Sequence, residues 1–196
     1  MAAAGWTSGQ LPADDDRWAY EMKYGGLRAI AYVDDRLRLE SRNGNDITVA
    51  WPELTGLAPA EPGFVVDGEI VIEHAGRSSF QALAPRMHQR NPATIRALAE
   101  TTPATYLIFD LLHIGDRSLI ELPYTQRREL LEQIGLAGPH WRIPHLLPGP
   151  AADALAVSKN WGPRASSANG AKAGICPGNA ARPGSRSRTS AIKRSW

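Results

Sequence analysis

The sequence predicts an α+β protein with largely antiparallel sheets. Three observations carry this. Short strand-like and helix-like pieces alternate without any internal repeat. Two runs read as strong strands: Phe64 to Glu73 by its alternation, and Thr105 to Leu112 by being apolar on both faces, as in a buried sheet. Two further strand-like runs are separated only by a turn around Asp34-Asp35, which marks a hairpin.

Taken in order, Trp18 to Lys23 reads as a short strand. Leu27 to Val33 and Arg36 to Ser41 are the two arms of the hairpin. Pro52 suits the first position of a short helix running to Leu57, because its missing N–H has no partner there in any case. In Phe64 to Glu73, Val66, Gly68, Ile70 and Ile72 share one face, and Val65, Asp67, Glu69 and Val71 share the other. Ser79 to Leu83 and Ala93 to Glu100 read as helices. Thr105 to Leu112 is apolar on both faces. Tyr124 to Ile134 places Leu130, Leu131 and Ile134 at helical spacing and stops before Gly135. Pro150 to Lys159 reads as a last short helix.

The 196 residues suffice for one well-cored domain, or one domain with a tail. A single cysteine, Cys176, excludes a disulfide scaffold and a cysteine-rich zinc site. No apolar run approaches the roughly 18 to 20 residues that span a bilayer, so no membrane partner is expected. The N-terminus lacks a basic segment followed by an apolar core, so a cytoplasmic protein is expected, associated with the nucleoid at most.

The net charge of +2 hides a division of the chain. Residues 1–160 carry 15 Lys/Arg against 20 Asp/Glu, whereas residues 161–196 carry 7 Lys/Arg and no acid. Of those last 36 residues, 21 are Gly, Ala, Pro or Ser, which leaves too few large apolar groups to offset the entropy of ordering. The segment 161–196 is therefore expected to be a disordered basic tail, and 1–160 the folded domain.

Two clusters carry chemistry. In Glu21-Met22-Lys23-Tyr24-Gly25-Gly26-Leu27-Arg28, a lysine and an arginine converge on a Gly-Gly turn, which would suit an anion. Spacing alone also allows a hairpin with solvated charges. In Val65-Val66-Asp67-Gly68-Glu69-Ile70-Val71, two carboxylates share a face of an otherwise apolar strand. They require partners, a metal, or an edge position with one wet face.

Together these clusters resemble a known family. Residues 23 to 28 are similar to the nucleotidyltransferase motif KxDGxR of ATP-dependent DNA ligases, RNA ligases and mRNA capping enzymes. Ser41-Arg42-Asn43-Gly44 matches the SRNG motif that follows in ligases. Asp67-Gly68-Glu69 and Tyr106-Leu107-Ile108-Phe109-Asp110 match the next two. Leu11-Pro12 followed by Trp18-Ala19-Tyr20-Glu21 is most similar to bacterial ligases of the end-joining type, and the likeness covers about residues 10 to 160.

The resemblance implies a nucleotidyltransferase (ATP-grasp-like) domain of antiparallel sheets flanked by helices. Lys23 would be the nucleophile that takes AMP from ATP. Glu21 would help hold the adenine, Phe109 would stack on it, and Arg28 and Arg42 would hold the ribose and its surroundings. Glu69 would meet the ribose or a Mg²⁺ (or Mn²⁺) ion. ATP would be the cofactor and nicked or broken duplex DNA the partner, in repair and end joining. The amine attacks only when neutral; holding a lysine neutral near pH 7.5, from an ordinary value of about 10.4, amounts to roughly 4 kcal/mol.

The sequence departs from the family at two places. Gly25 stands where the family has an aspartate, and adenylation is expected to suffer for it. Two further motifs, an EGVV-type strand and a W-x-K-x-K strand, are missing after residue 160, which leaves the domain incomplete and without the OB-fold domain that follows in family ligases. The codons for Gly162 to Trp196, read from each third base, nevertheless permit EGV, then V or I, an ambiguous position, KRR, another ambiguous position, and SRY-L-PGKRGTPWVKVKNIGHQEVV. Both motifs are present there in order, so the tail is expected to be a frameshift product beginning near Asn160 to Pro163. A catalytically inactive ATP- or DNA-binding remnant remains the alternative function.

Overall fold

A computed structural model describes residues 4–5, 18–22, 24–58, 60, 62–74, 77–160 and 174–177. The elements in chain order are β1 (Ala4–Gly5), β2 (Trp18–Glu21), β3 (Leu27–Val33), β4 (Leu37–Ser41), 3-10 turns at Thr48–Ala50 and Pro52–Leu57, β5 (Phe64–Val71), β6 (Glu73–His74) and β7 (Arg77–Ser78). Then follow α1 (Phe80–Met87), α2 (Pro92–Thr101), β8 (Thr105–Ile114), β9 (Arg117–Ser118), α3 (Tyr124–Ile134), β10 (Trp141–Arg142), α4 (Ala151–Asn160) and β11 (Gly174–Pro177).

The two most apolar strands lie at the centre. The largest sheet runs β10-β8-β5-β3-β4, with β9 paired to β8. Its ladders are antiparallel except β10, which runs parallel to β8. Val66, Ile70, Leu107, Ile108 and Leu111 are fully buried. Because β5 is flanked by β3 and β8, Asp67 and Glu69 are not on an edge strand, and the wet-edge reading of that cluster is set aside.

Gly68 explains how two central strands pass so closely. A Cβ there would lie 2.7 Å from the Tyr106 ring and closer still to the Leu107 carbonyl oxygen. The tyrosine ring slides into the space and its hydroxyl donates to the Ala29 carbonyl at 2.8 Å, so β8 is tied through β5 to β3.

Helices and turns cover this sheet. Asn91 caps α2 through its side chain, and Gly135 ends α3 in the left-handed conformation. The segment Pro52–Leu57 is a 3-10 helix rather than a regular short helix, and α1 extends past the expected Leu83 to Met87, with Pro85 inside it. Two buried ion pairs hold the cover on. Arg86 pairs with both Glu53 oxygens, and Glu53 also accepts the Ala104 N–H at 2.8 Å. Arg127 grips Asp110 in two-point fashion at 2.8 and 2.6 Å, which docks α3 on β8.

A second sheet runs β1-β11-β2, with Ile175 paired to Tyr20. Backbone pairing along an open strand edge needs no particular side chains, so a low-complexity segment can take part. The remainder of 161–196 lies outside the described residues. Among the described residues, no helix is long and apolar enough to cross a membrane.

Candidate active site

The Gly25-Gly26 turn leads into β3 and brings the first motif against the third. Gly26 is required by close approach: a Cβ there would stand 2.5 Å from the Ile70 carbonyl oxygen and 2.6 Å from Glu69 Cγ. With only a hydrogen in that place, the Gly26 N–H donates to Glu69 Oε1 at 2.7 Å. The carboxylate on β5 is therefore fastened to the turn that follows the lysine in sequence. Lys23 itself, between Met22 and Tyr24, lies outside the described residues.

Arg28, at the start of β3, makes a two-point contact with Asp67, its Nε donating to Oδ1 at 3.0 Å. The carboxylates of the third motif thus divide the work, Asp67 holding Arg28 and Glu69 holding the turn. Arg42 is exposed in the tight turn after β4, where Gly44 adopts φ +77° and its N–H donates to the Ser41 carbonyl. Ala29 pairs with Ser41 in the antiparallel ladder, so Arg28 on β3 and Arg42 in the turn after β4 lie on the same side of that pair.

Phe109, on β8, stacks with Tyr24, ring centroids 6.2 Å apart and planes 24° from parallel. Glu21, at the end of β2, accepts the Tyr124 hydroxyl at 2.6 Å and the Arg128 guanidinium at 3.5 Å. Arg142, on β10, pairs with Glu73 at 2.7 Å. The Tyr24 phenol is pushed above its ordinary value, chiefly by burial; Arg142 pulls it down, while Glu73, Glu21 and Glu69 push it up. Tyr24 therefore sits among charged side chains from β2, β5, β6 and β10.

The structure thus gathers Glu21, Phe109 and Glu69 around the segment that carries Lys23, and sets Arg28 and Arg42 on adjoining strand ends. Among the described residues no group of three His, Cys, Asp or Glu side chains gathers to cage a metal. Mg²⁺ held by one or two carboxylates together with substrate phosphates needs no such cage. Sequence reasoning missed Tyr24, Glu73, Tyr124, Arg128 and Arg142. The only signal for the pair on α3 was the four-residue spacing that places Tyr124 and Arg128 on one helix face.

A glycine turn held against a carboxylate strand, a lysine just ahead of it in sequence and an aromatic on the next strand define a nucleotidyltransferase-type domain. More narrowly, the chain belongs to the ATP dependent DNA ligase domain family, whose pattern matches residues 10–143. It is 39% identical over 131 residues to DNA ligase C1 of Mycolicibacterium smegmatis, covering 63% of this chain and 37% of that protein. It is 35% identical over 150 residues to the multifunctional non-homologous end joining protein LigD of Mycobacterium bovis, covering 74% of this chain but 18% of that one. Among solved structures, mycobacterial DNA ligase D complexed with ATP and MES superposes with a TM-score of 0.66 at 31% identity, over 88% of this chain and 51% of that one. The chain thus spans well under half the length of these curated relatives, and the α+β nucleotidyltransferase fold expected from the sequence is the one observed.

Proposed function

We propose that this chain is the adenylation domain of an ATP-dependent DNA ligase acting on nicked or broken duplex DNA. The carrying observation is the convergence of Glu21, Phe109 and Glu69 on the segment holding Lys23. Lys23 Nζ, as the neutral amine, attacks the α-phosphorus of ATP. The N–P bond forms, the bond to the pyrophosphate oxygen breaks, pyrophosphate leaves with that electron pair, and the amine proton passes to solvent. Phe109 stacks on the adenine and Glu21 meets its edge, while Arg28 and Arg42 border the ribose. Glu69 meets the ribose or a Mg²⁺ (or Mn²⁺) ion carried by the triphosphate, which lowers the charge that the amine must approach.

Incubation of the full chain with α-labelled ATP and Mg²⁺, followed by denaturing electrophoresis, tests this. A labelled protein band that disappears in Lys23→Ala is expected. Measurable ATP affinity without any label would favour the second reading, a binding remnant without catalysis, which Gly25 supports because it removes a carboxylate beside the nucleophile.

The frame of residues 161–196 belongs to the same proposal. An acid-free segment whose codons permit both missing motifs in order is read as an out-of-frame continuation of the domain. The gene's nucleotide sequence around Asn160 to Pro163 decides it: codons that do not spell those motifs in the shifted frame end the idea.

A further inference from the structure

We propose that Tyr124 and Arg128 are positioning residues that set adenine selectivity by fixing Glu21 against Phe109; this rests on the ligase reading above. The two residues assigned to the purine stand on different sheets, Glu21 on β2 and Phe109 on β8. Among the described residues no strand ladder registers one against the other. Helix α3 does so. Tyr124, buried at its first position, donates its hydroxyl to Glu21 Oε1 at 2.6 Å. One turn later, Arg128 reaches both purine-side residues with a single nitrogen. Its Nη1 lies 3.5 Å from Glu21 Oε1 and 3.5 Å from the Phe109 carbonyl oxygen.

That nitrogen cannot wander. Nε of Arg128 donates to Glu132 at 2.8 Å and Nη2 donates to the Pro144 carbonyl, so the rigid planar fork is held on its other sides. The neighbouring Arg127 is spent on Asp110 and keeps the helix itself in place. The doublet thus divides into one arginine that docks α3 and one that gauges the distance from Glu21 to the aromatic strand.

A carboxylate has only acceptor sites. Pinned beside a stacking ring so that it faces position 6 of the base, it suits a purine with an amino donor there and opposes one with a carbonyl there, and the same pinning keeps it from turning to the N1–H and 2-amino donors of a guanine. A Glu21 released from its clamp turns away or takes other partners, and the discrimination is lost. Burial alone would not require this arrangement, since a phenylalanine at 124 would fill the same volume.

The test is direct nucleotide binding by the full chain, titrated with ATP and with GTP, for wild type, Tyr124→Phe and Arg128→Lys. Expected for Tyr124→Phe is a loss of roughly three- to tenfold in ATP affinity with GTP affinity changed less than about twofold, and a melting temperature close to wild type. Arg128→Lys, which keeps the charge but not the fork, should narrow the ATP-to-GTP ratio further. An unchanged ratio in both variants overturns the clamp while leaving the ligase reading intact. Equal losses for both nucleotides mean a merely structural role and overturn it as well. A wild-type chain that binds neither nucleotide overturns the ligase reading, and the clamp with it.

Discussion

Replacing Gly25 by aspartate puts back the carboxylate that the family carries beside the nucleophile, and the structure sets what should happen. The Gly25 backbone lies outside the left-handed region, and among the described residues a Cβ there would meet the Phe80 N and Ser78 Oγ, at 3.8 and 3.9 Å, which is ordinary contact. No strain is therefore introduced. Loss of glycine's freedom in the unfolded chain contributes about 0.4 to 1 kcal/mol of stability. A carboxylate near the first N–H groups of α1 contributes about 0.3 to 1 kcal/mol more. Repulsion from Glu21, Glu69 and Glu73 takes some of this back. A net gain of about 0.5 to 1 kcal/mol remains, or a rise of roughly 1 to 4 °C in melting temperature for a domain of this size. Lysyl-AMP formation should rise by about tenfold or more, because a misplaced group at a reacting centre costs orders of magnitude. Thermal melts and single-turnover labelling with α-labelled ATP read both quantities. Gly25→Ala separates them, since it shares the backbone term and lacks the charge. An alanine variant destabilised by more than about 1 kcal/mol would refute the geometry of the turn. Equal labelling by the aspartate and alanine variants would refute the role of the carboxylate.

Gly68→Ala drives a methyl group into the Leu107 carbonyl and the Tyr106 ring, so a loss of about 3 kcal/mol or more is expected in urea unfolding; a loss under about 1 kcal/mol would mean that β5 and β8 are further apart. Glu53→Gln leaves the buried Arg86 without its counter-charge, which should cost about 3 to 5 kcal/mol near neutral pH. Burial alone would raise the Glu53 carboxyl, but Arg86 and the Ala104 N–H hold it below its ordinary 4.5. Its contribution is therefore complete above that value and drains away as pH falls below it, and stability curves between about pH 6 and 3 should be flatter in the variant than in wild type. Chelation of divalent ions should weaken ATP binding at least about tenfold and leave adenosine binding nearly unchanged, as titration calorimetry would record; equal retention of both would remove the ion from the account.

Much of this was legible in the chain, and the gaps have physical causes. Strand β5 was readable from its apolar alternation, and β8 because an interior strand is apolar on both faces. The hairpin of β3 and β4 was readable from its turn, and the end of α3 from Gly135. Pro85 hid the second half of α1, since a proline within a helix looks like its end, yet packing of Leu83 and Arg86 carries the helix through. Strand β10 is two residues long, too short to show a period, and its parallel pairing with Tyr106 and Leu107 is fixed by the sheet and not by its own residues. The motif residues announced themselves because the chemistry demands their types at their spacings. Tyr124 and Arg128 did not, because they meet Glu21 across more than a hundred residues of chain, and an arginine doublet on a helix reads locally as a solvated face.

The charges around the site explain why base recognition and phosphate handling separate here. Three guanidiniums that border it are already engaged with carboxylates: Arg28 with Asp67, Arg128 with Glu21, and Arg142 with Glu73. The raised Tyr24 phenol reports the same balance, since beyond burial three carboxylates act against the opposing pull of Arg142. On the proposed reading, these engaged guanidiniums leave Arg42 as the exposed arginine bordering the site, so little of its positive charge is directed at a triphosphate. Lys23 cannot supply that charge and also react, because it attacks only as the neutral amine. The proposed divalent ion, bound with the triphosphate, would both stabilise the phosphate oxygens and disfavour a protonated lysine. On this reading adenine selection would not depend on the phosphate chemistry, so nucleotide binding and labelling report different parts of the site.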